Sequence, residues 1–269
     1  MQAEDRRVLQ ALRAARPAIA RAAETLRETY LSGGNAYLFG AGTSGRLAVL
    51  EAAELPPTFG TDPRRVRAVM AGGRGAVFRA REGSEDRREE GRRGAGRVSP
   101  RDLVVGISAS SVTPFVRAAL ERARKRGART ILLTAARSSG LSRTADLVVL
   151  LEVGPEVLAG STRLKAGTAT KLALNQITTS AFASAGRVFG PWMVDLRAGS
   201  AKLKDRAARI VAAAAGLPPR RARALLARAK GEVKVAIVMG RTGATPSQAR
   251  KRLERSGGDL RKALEGKGS

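Results

Sequence analysis

Two short stretches of the chain carry residue types that can hold an anion. Gly40-Ala41-Gly42-Thr43-Ser44-Gly45-Arg46 follows the apolar run Ala36-Tyr37-Leu38-Phe39 and leads into a helical pattern. Its glycines let the backbone approach a ligand closely, Thr43 and Ser44 offer hydroxyls, and a helix start offers unpaired N–H groups. A plain strand-to-helix turn would use the same glycines. The spacing matches a dinucleotide loop, yet no acidic residue closes the next apolar run, Val66 to Met70, where a ribose partner belongs. No Gly-Lys-Ser/Thr follows either, so it is not a nucleoside-triphosphate loop. The second stretch, Ser108-Ala109-Ser110-Ser111-Val112-Thr113-Pro114, sets four hydroxyls in six residues after the run Leu103 to Ile107. Pro114 suits a first helical turn, for which Ser111 or Thr113 is a ready N-cap. Ligands of parallel sheets bind outside the carboxyl ends of the strands, so the two loops together suggest a phosphorylated small molecule.

Composition bounds the chemistry open to such a site. The 269 residues contain no Cys and no His, which removes disulfides, thiolates and the commonest general base. Acid/base work falls to carboxylates, Lys or Tyr. A formal charge of +27 and a pI near 11.7 would suit a polyanion partner. The arginines, however, are spread along the whole chain and only 3% of residues are aromatic, so we read a solvated basic surface and expect no specific nucleic-acid binding. No apolar run is long enough to span a membrane, and Met1 is followed by Gln-Ala-Glu-Asp-Arg-Arg rather than a signal peptide, which suggests a cytoplasmic protein.

The elements that must position these loops follow from hydrophobic period. Residues 7–31 repeat at helical spacing and stop at Ser32-Gly33-Gly34. Apolar runs at 36–39, 66–70, 103–107, 130–133 and 147–153 are mostly separated by helix-length stretches, and residues 164–186 read as one long, largely buried helix. That pattern predicts an α/β fold, a parallel five-stranded sheet with helices on both faces. The helix after the first loop should stop at Pro56-Pro57, just beyond Glu54, and Arg87 to Arg101 reads as a basic linker. Beyond about residue 199 the strands cease and Ala/Arg/Leu helices are punctuated by Gly and Pro, with an apolar, buried segment at 231–240. We therefore expect domains over 1–198 and 199–269, the second a small helical bundle.

GAGTSGR and SASSVTP after successive strands resemble the sugar-isomerase (SIS) domains, flavodoxin-like three-layer sandwiches that bind phosphosugars. More narrowly, GAGTSGRLAVLEAAELPPTFG, AREGSEDRREEG and GPEVLAGSTRLKAGTATKLALNQ are similar to the N-acetylmuramic acid 6-phosphate etherases over nearly the whole chain. The resemblance implies cleavage of the D-lactyl ether of that sugar to N-acetylglucosamine 6-phosphate and D-lactate, in a homodimer without metal or organic cofactor, with a ubiquitin-associated-like tail. It implies Glu54 as proton donor to the leaving lactate and Glu85 as base at C2, roles that could be exchanged. It also implies phosphate ligation by Gly42, Thr43, Ser44, Ser108, Ser110 and Thr113, with Glu156, Ser161 and Lys165 as further substrate contacts. The related glucokinase regulatory proteins supply the alternative of a non-catalytic phosphosugar sensor. Two departures stand out: the chain begins later than the family's usual start, and Ser110-Ser111-Val112-Thr113-Pro114 stands where the family reads Ser-Gly-Arg-Thr-Pro. Glu54 lies ten residues beyond Ser44, about 15 Å along an unbroken helix and farther than one sugar spans. Either the helix breaks early or Glu54 serves the other subunit's site, and we expect the second.

Overall fold

Leu38, Leu103, Val105 and Ile131 face one side of a sheet while Phe39, Val104 and Leu132 face the other, the period-two alternation of strands buried on both sides. The computed structural model describes residues 1–111, 113–137, 143, 145–196 and 201–266, and its contacts divide into two units: Met1–Glu54 with Asp62–Ala181, and Leu55–Thr61 with Phe182–Ser269. The boundary expected at 198/199 lies outside the described residues, as does Val112.

The first unit holds α1 (Gln2–Leu31), β1 (Ala36–Gly40), the start of α2 (Gly42–Phe59), β2 (Val66–Met70), α3 (Gly75–Phe78), α4 (Arg88–Gly94), β3 (Leu103–Ile107), α5 (Pro114–Lys125), β4 (Arg129–Thr134), β5 (Leu147–Leu150) and nearly all of α6 (Lys165–Phe182). The five strands are parallel in the order β2-β1-β3-β4-β5, with Gly40 beside Ile107 and Ile107 beside Leu133. α5 covers one face through Phe115, Val116 and Leu120; α1 and α6 cover the other through Leu26, Leu174 and Ile177. Gly106 is required where α5 crosses β3, because a Cβ there would sit 2.7 Å from Val116 and 2.8 Å from Leu120.

Three local expectations are corrected. α2 does not stop at Pro56-Pro57 but runs through to Phe59. Proline costs α2 two N–H donors there, yet its fixed φ is helical, and Gly60 N–H donates to the Pro56 carbonyl at 3.0 Å to close the last turn. Phe59, buried and stacked on Phe182 with ring centroids 5.1 Å apart, holds that turn in place. The segment Arg87 to Arg101 is not a linker: α4 packs on α5, so closely that a Cβ at Gly91 would lie 2.1 Å from the Phe115 carbonyl oxygen. The helix expected to run to residue 186 ends at Phe182 in a five-residue π-turn, where Gly186 takes φ +74°.

The second unit packs α7 (Ala201–Ala215), α8 (Pro219–Arg228), α10 (Pro246–Arg255) and α11 (Leu260–Glu265) around α9 (Val233–Thr242), whose residues Val233 to Met239 are all buried. A short antiparallel pair, β6 (Val188–Phe189) with β7 (Trp192–Met193), precedes them. Lys234 is the one charged group in the buried run of α9. Its ammonium donates to Asp195 Oδ2 at 2.6 Å, the Gly186 carbonyl at 2.9 Å and the Gly258 carbonyl at 2.6 Å, so all three of its donors are used. Burial pushes its pKa down from the ordinary lysine value, and Asp195 beside it opposes that shift.

Candidate phosphosugar site

The sheet order reverses direction at β1 and β3, and the crevice outside their carboxyl ends is where such sheets bind ligands. A cavity of ≈ 310 Å³ opens there, within the size range of small-molecule sites. Three glycines shape its first wall. A Cβ on Gly40 would meet Gly45 N at 2.6 Å, one on Gly45 would meet the Gly40 oxygen at 2.7 Å, and Gly42 takes φ +53° at the start of α2. The turn so formed brings Gly42, Thr43 and Ser44 to the cavity at the N-terminus of α2, where free N–H groups favour an anion. Among the described residues no hydrogen bond engages the hydroxyls of Thr43, Ser44 or Ser110.

The loop after β3 forms the second wall. Ser110 and Thr113 line the cavity; Ser108 is buried behind them, its Oγ 2.7 Å from Thr113 Oγ1. Thr113 occupies the N-cap position of α5 without making a side-chain cap bond, because its hydroxyl is turned to Ser108 instead. Glu85 reaches the same cavity from the loop between α3 and α4. Its carbonyl accepts the Phe115 N–H at 2.9 Å, which ties the Glu85 backbone to the first turn of α5, and its side chain is half-buried.

Arg46, Arg81, Ser84 and Thr162 complete the lining, and Glu82 joins Glu85 as a second carboxylate. Arg46 donates from Nε to the Val77 carbonyl at 2.8 Å and from Nη2 to the Ala76 carbonyl at 2.9 Å, pinning α3 as a cavity wall. Arg81 donates to the Gly72 carbonyl at 3.0 Å. Sequence reasoning singled out neither arginine, although Arg46 closes the glycine loop itself and Arg81 opens the segment that carries Glu85. Their fixed distance from recognised motifs was the usable signal.

Four of the residues singled out lie elsewhere. Glu54 is exposed on α2 and does not line the cavity. Glu156 accepts Lys165 N and Ala166 N, each at 2.9 Å, so its carboxylate caps α6. Lys165 is buried and paired with Glu4 of α1; that bond holds the Glu4 carboxyl below its ordinary range. Ser161 lies beside the cavity-lining Thr162 but is not itself in the lining. One turn before Glu54, Glu51 is buried and accepts from Thr178 Oγ1 at 2.6 Å and Lys171 Nζ at 2.9 Å, clamping α2 to α6. No group of three or more metal-ligating side chains occurs among the described residues, and no helix among them is long and apolar enough to cross a membrane.

Comparison with known proteins agrees on the cavity-bearing unit and extends beyond it. Residues 18–124 match the family model of the glucokinase regulatory protein N-terminal SIS domain, and residues 87–180 match that of the SIS domain. The N-acetylmuramic acid 6-phosphate etherase of Symbiobacterium thermophilum is 48% identical over 87% of this chain and 79% of its own length. That of Rubrobacter xylanophilus is 50% identical over 88% and 80%, and that of Trichormus variabilis 45% identical over 97% and 86%. Among solved structures, phosphoheptose isomerase from Neisseria gonorrhoeae superposes with a TM-score of 0.51 at 20% identity, covering 65% of this chain and 93% of that one.

Proposed function

The chain belongs to the N-acetylmuramic acid 6-phosphate etherase family, and from that premise we propose that Glu85 and Glu54 carry the reaction, with the two hydroxyl loops holding the phosphate. The enzyme is a carbon–oxygen lyase acting on a phosphosugar: it cleaves the D-lactyl ether of N-acetylmuramic acid 6-phosphate to N-acetylglucosamine 6-phosphate and D-lactate, a step of peptidoglycan recycling. With the sugar ring open, the C2 proton lies next to the aldehyde. Glu85 takes that proton, the C3–O bond breaks as lactate leaves with a proton from Glu54, and water then adds at C3. The chain has no His or Cys for either task, so a carboxylate pair is the natural acid and base.

The single observation that carries this reading is the cavity itself, which gathers Ser44, Ser110, Thr113 and the Glu85 carboxylate around one space of ≈ 310 Å³. The Glu85 base and the phosphate hydroxyls thus share one chain's site. Glu54 does not. α2 is unbroken from Gly42 to Phe59, so Glu54 stays about 15 Å down the axis from Ser44, which supports the second of the two options left by the sequence, a Glu54 that serves the other subunit's site. Leu50, one turn before Glu54 on the same face of α2, is 43% exposed, as a residue awaiting a subunit contact would be. The active site is accordingly shared across a homodimer, in the cytoplasm where sugar phosphates are kept.

D-lactate release from N-acetylmuramic acid 6-phosphate by the purified protein tests the activity. Release from wild type and its loss in Glu85→Gln are expected; sugar-phosphate binding without lactate release would favour the non-catalytic sensor that the match to the glucokinase regulatory domain keeps open. Mixing a Glu54→Gln subunit with a Ser110→Ala/Thr113→Val subunit tests sharing, since heterodimers retain one intact site. Absence of regained activity would place the whole site in one chain.

A further inference from the structure

Ser111 combines three features that ordinary loop residues do not share. It takes φ +62°, one of only two positive-φ residues other than glycine among the described residues. It is 1% exposed. Its Oγ has no hydrogen-bond partner. A left-handed backbone strains any side chain, and a buried hydroxyl left unpaired has lost its water without replacement. Both burdens fall in the turn, closed by Ser111 N–H donating to the Ser108 carbonyl at 3.1 Å, whose residues Ala109 and Ser110 line the cavity.

The backbone burden is of a kind met in anion-binding turns, where a left-handed residue helps gather N–H groups into a concavity. The hydroxyl burden needs a separate account, because glycine would meet the backbone requirement at no steric cost. Within this loop the other buried hydroxyl must give up a bond to reach a ligand: Ser108 and Thr113 are bonded to each other. The Ser111 hydroxyl has no bond to give up.

We propose that Ser111 is a phosphate-binding residue of this chain, its hydroxyl held in reserve in the free enzyme and turned to the phosphate monoester when ligand entry rearranges the loop. Ligand binding then draws Ser108 and Thr113 off each other and supplies Ser111 with the acceptor it lacks. The inference rests on reading the cavity as the phosphate site.

Calorimetric titration with inorganic phosphate, alongside thermal unfolding in phosphate-free buffer, tests it on Ser111→Ala and Ser111→Gly. Loss of a hydrogen bond to a charged acceptor should weaken phosphate binding about tenfold in both variants. Both free proteins should unfold at a higher temperature than wild type, since an unpaired buried hydroxyl has gone. Stronger folding together with weaker phosphate binding is the expected signature, and a purely structural serine would not produce it. Unchanged phosphate affinity in Ser111→Ala would overturn the proposal; so would a lower unfolding temperature, which would mean the hydroxyl is already satisfied. If Ser111→Gly binds like wild type while Ser111→Ala does not, the backbone and not the hydroxyl sets affinity, and the proposal also fails. Wild type that binds no phosphate would sink the reading of the cavity, whereas binding by wild type with unchanged variants sinks only the role of Ser111.

Discussion

The two loops that wall the cavity solve the same problem in different ways. The loop after β1 meets its close contacts with glycine at each demanding position: Gly40 and Gly45 where backbone touches backbone, Gly42 where φ is positive. The loop after β3 meets its one positive φ with Ser111 and buries the side chain unpaired. The first loop is thereby rigid by exclusion at Gly40 and Gly45, where a Cβ would strike backbone at 2.6 and 2.7 Å. The second is strained, and strain at a ligand wall is where a change of state on binding is stored. The loops differ equally in the carboxylate they command. The first feeds an unbroken helix that carries Glu54 away from the cavity, while the second starts a helix whose Phe115 N–H holds the Glu85 backbone beside it.

The largest expected effect tests that difference in carboxylates. Glu85→Gln and Glu54→Gln should each lower kcat by about 10²–10⁴-fold, the usual worth of a general acid or base, in a D-lactate assay. Only Glu54→Gln should be rescued by subunits defective in the phosphate loops, and equal behaviour of the two would erase the distinction. Next, the rigid loop should tolerate nothing: Gly45→Ala places a Cβ 2.7 Å from the Gly40 oxygen and 2.8 Å from Met70 Cγ, and should cost about 3 kcal/mol of stability by denaturant unfolding. The strained loop should respond in the opposite direction, with Ser111→Gly stabilising the free protein by about 1 kcal/mol in the same experiment. A loss on Ser111→Gly would break the contrast between the two.

The smallest effect lies outside both loops, at a residue expected in the site but paired elsewhere. Because Lys165 holds the Glu4 carboxyl below its ordinary value, their pairing contributes stability that is present above about pH 4.5 and is lost as pH falls through the lowered folded-state value. Thermal unfolding of Glu4→Gln should therefore fall short of wild type at pH 7, with the gap closing under acid. A gap that does not depend on pH would mean that the ion pair is not its cause.

Much of this molecule could be read from residue order. The five strands, the helices on both faces and the terminal helical bundle were legible because their hydrophobic periods are local and strong. Both hydroxyl loops were legible because Gly, Ser and Thr at fixed spacing after an apolar run are themselves a local pattern. The path of α2 through Pro56-Pro57 was not, because proline's usual breaking effect was overridden by the burial of Leu55 and Phe59 on either side. Nor was the packing of α4, which rests on Gly91 meeting a helix more than twenty residues away.

What the sequence determined by itself is the inventory: two loops of glycines and hydroxyls of a type that can hold an anion, a choice of acid and base without His or Cys, and the strands that end at one edge of a parallel sheet. Which members of that inventory meet was decided only in the tertiary structure. It brought Arg46, Arg81 and Thr162 to the cavity, left Glu54 on the outer face of α2, and spent Glu156 and Lys165 on the N-terminus of α6 and on α1. The reason is that spacing along a chain sets residue type and local conformation, whereas convergence depends on crossover connections and helical phase. Those are settled only when the helices pack on the sheet.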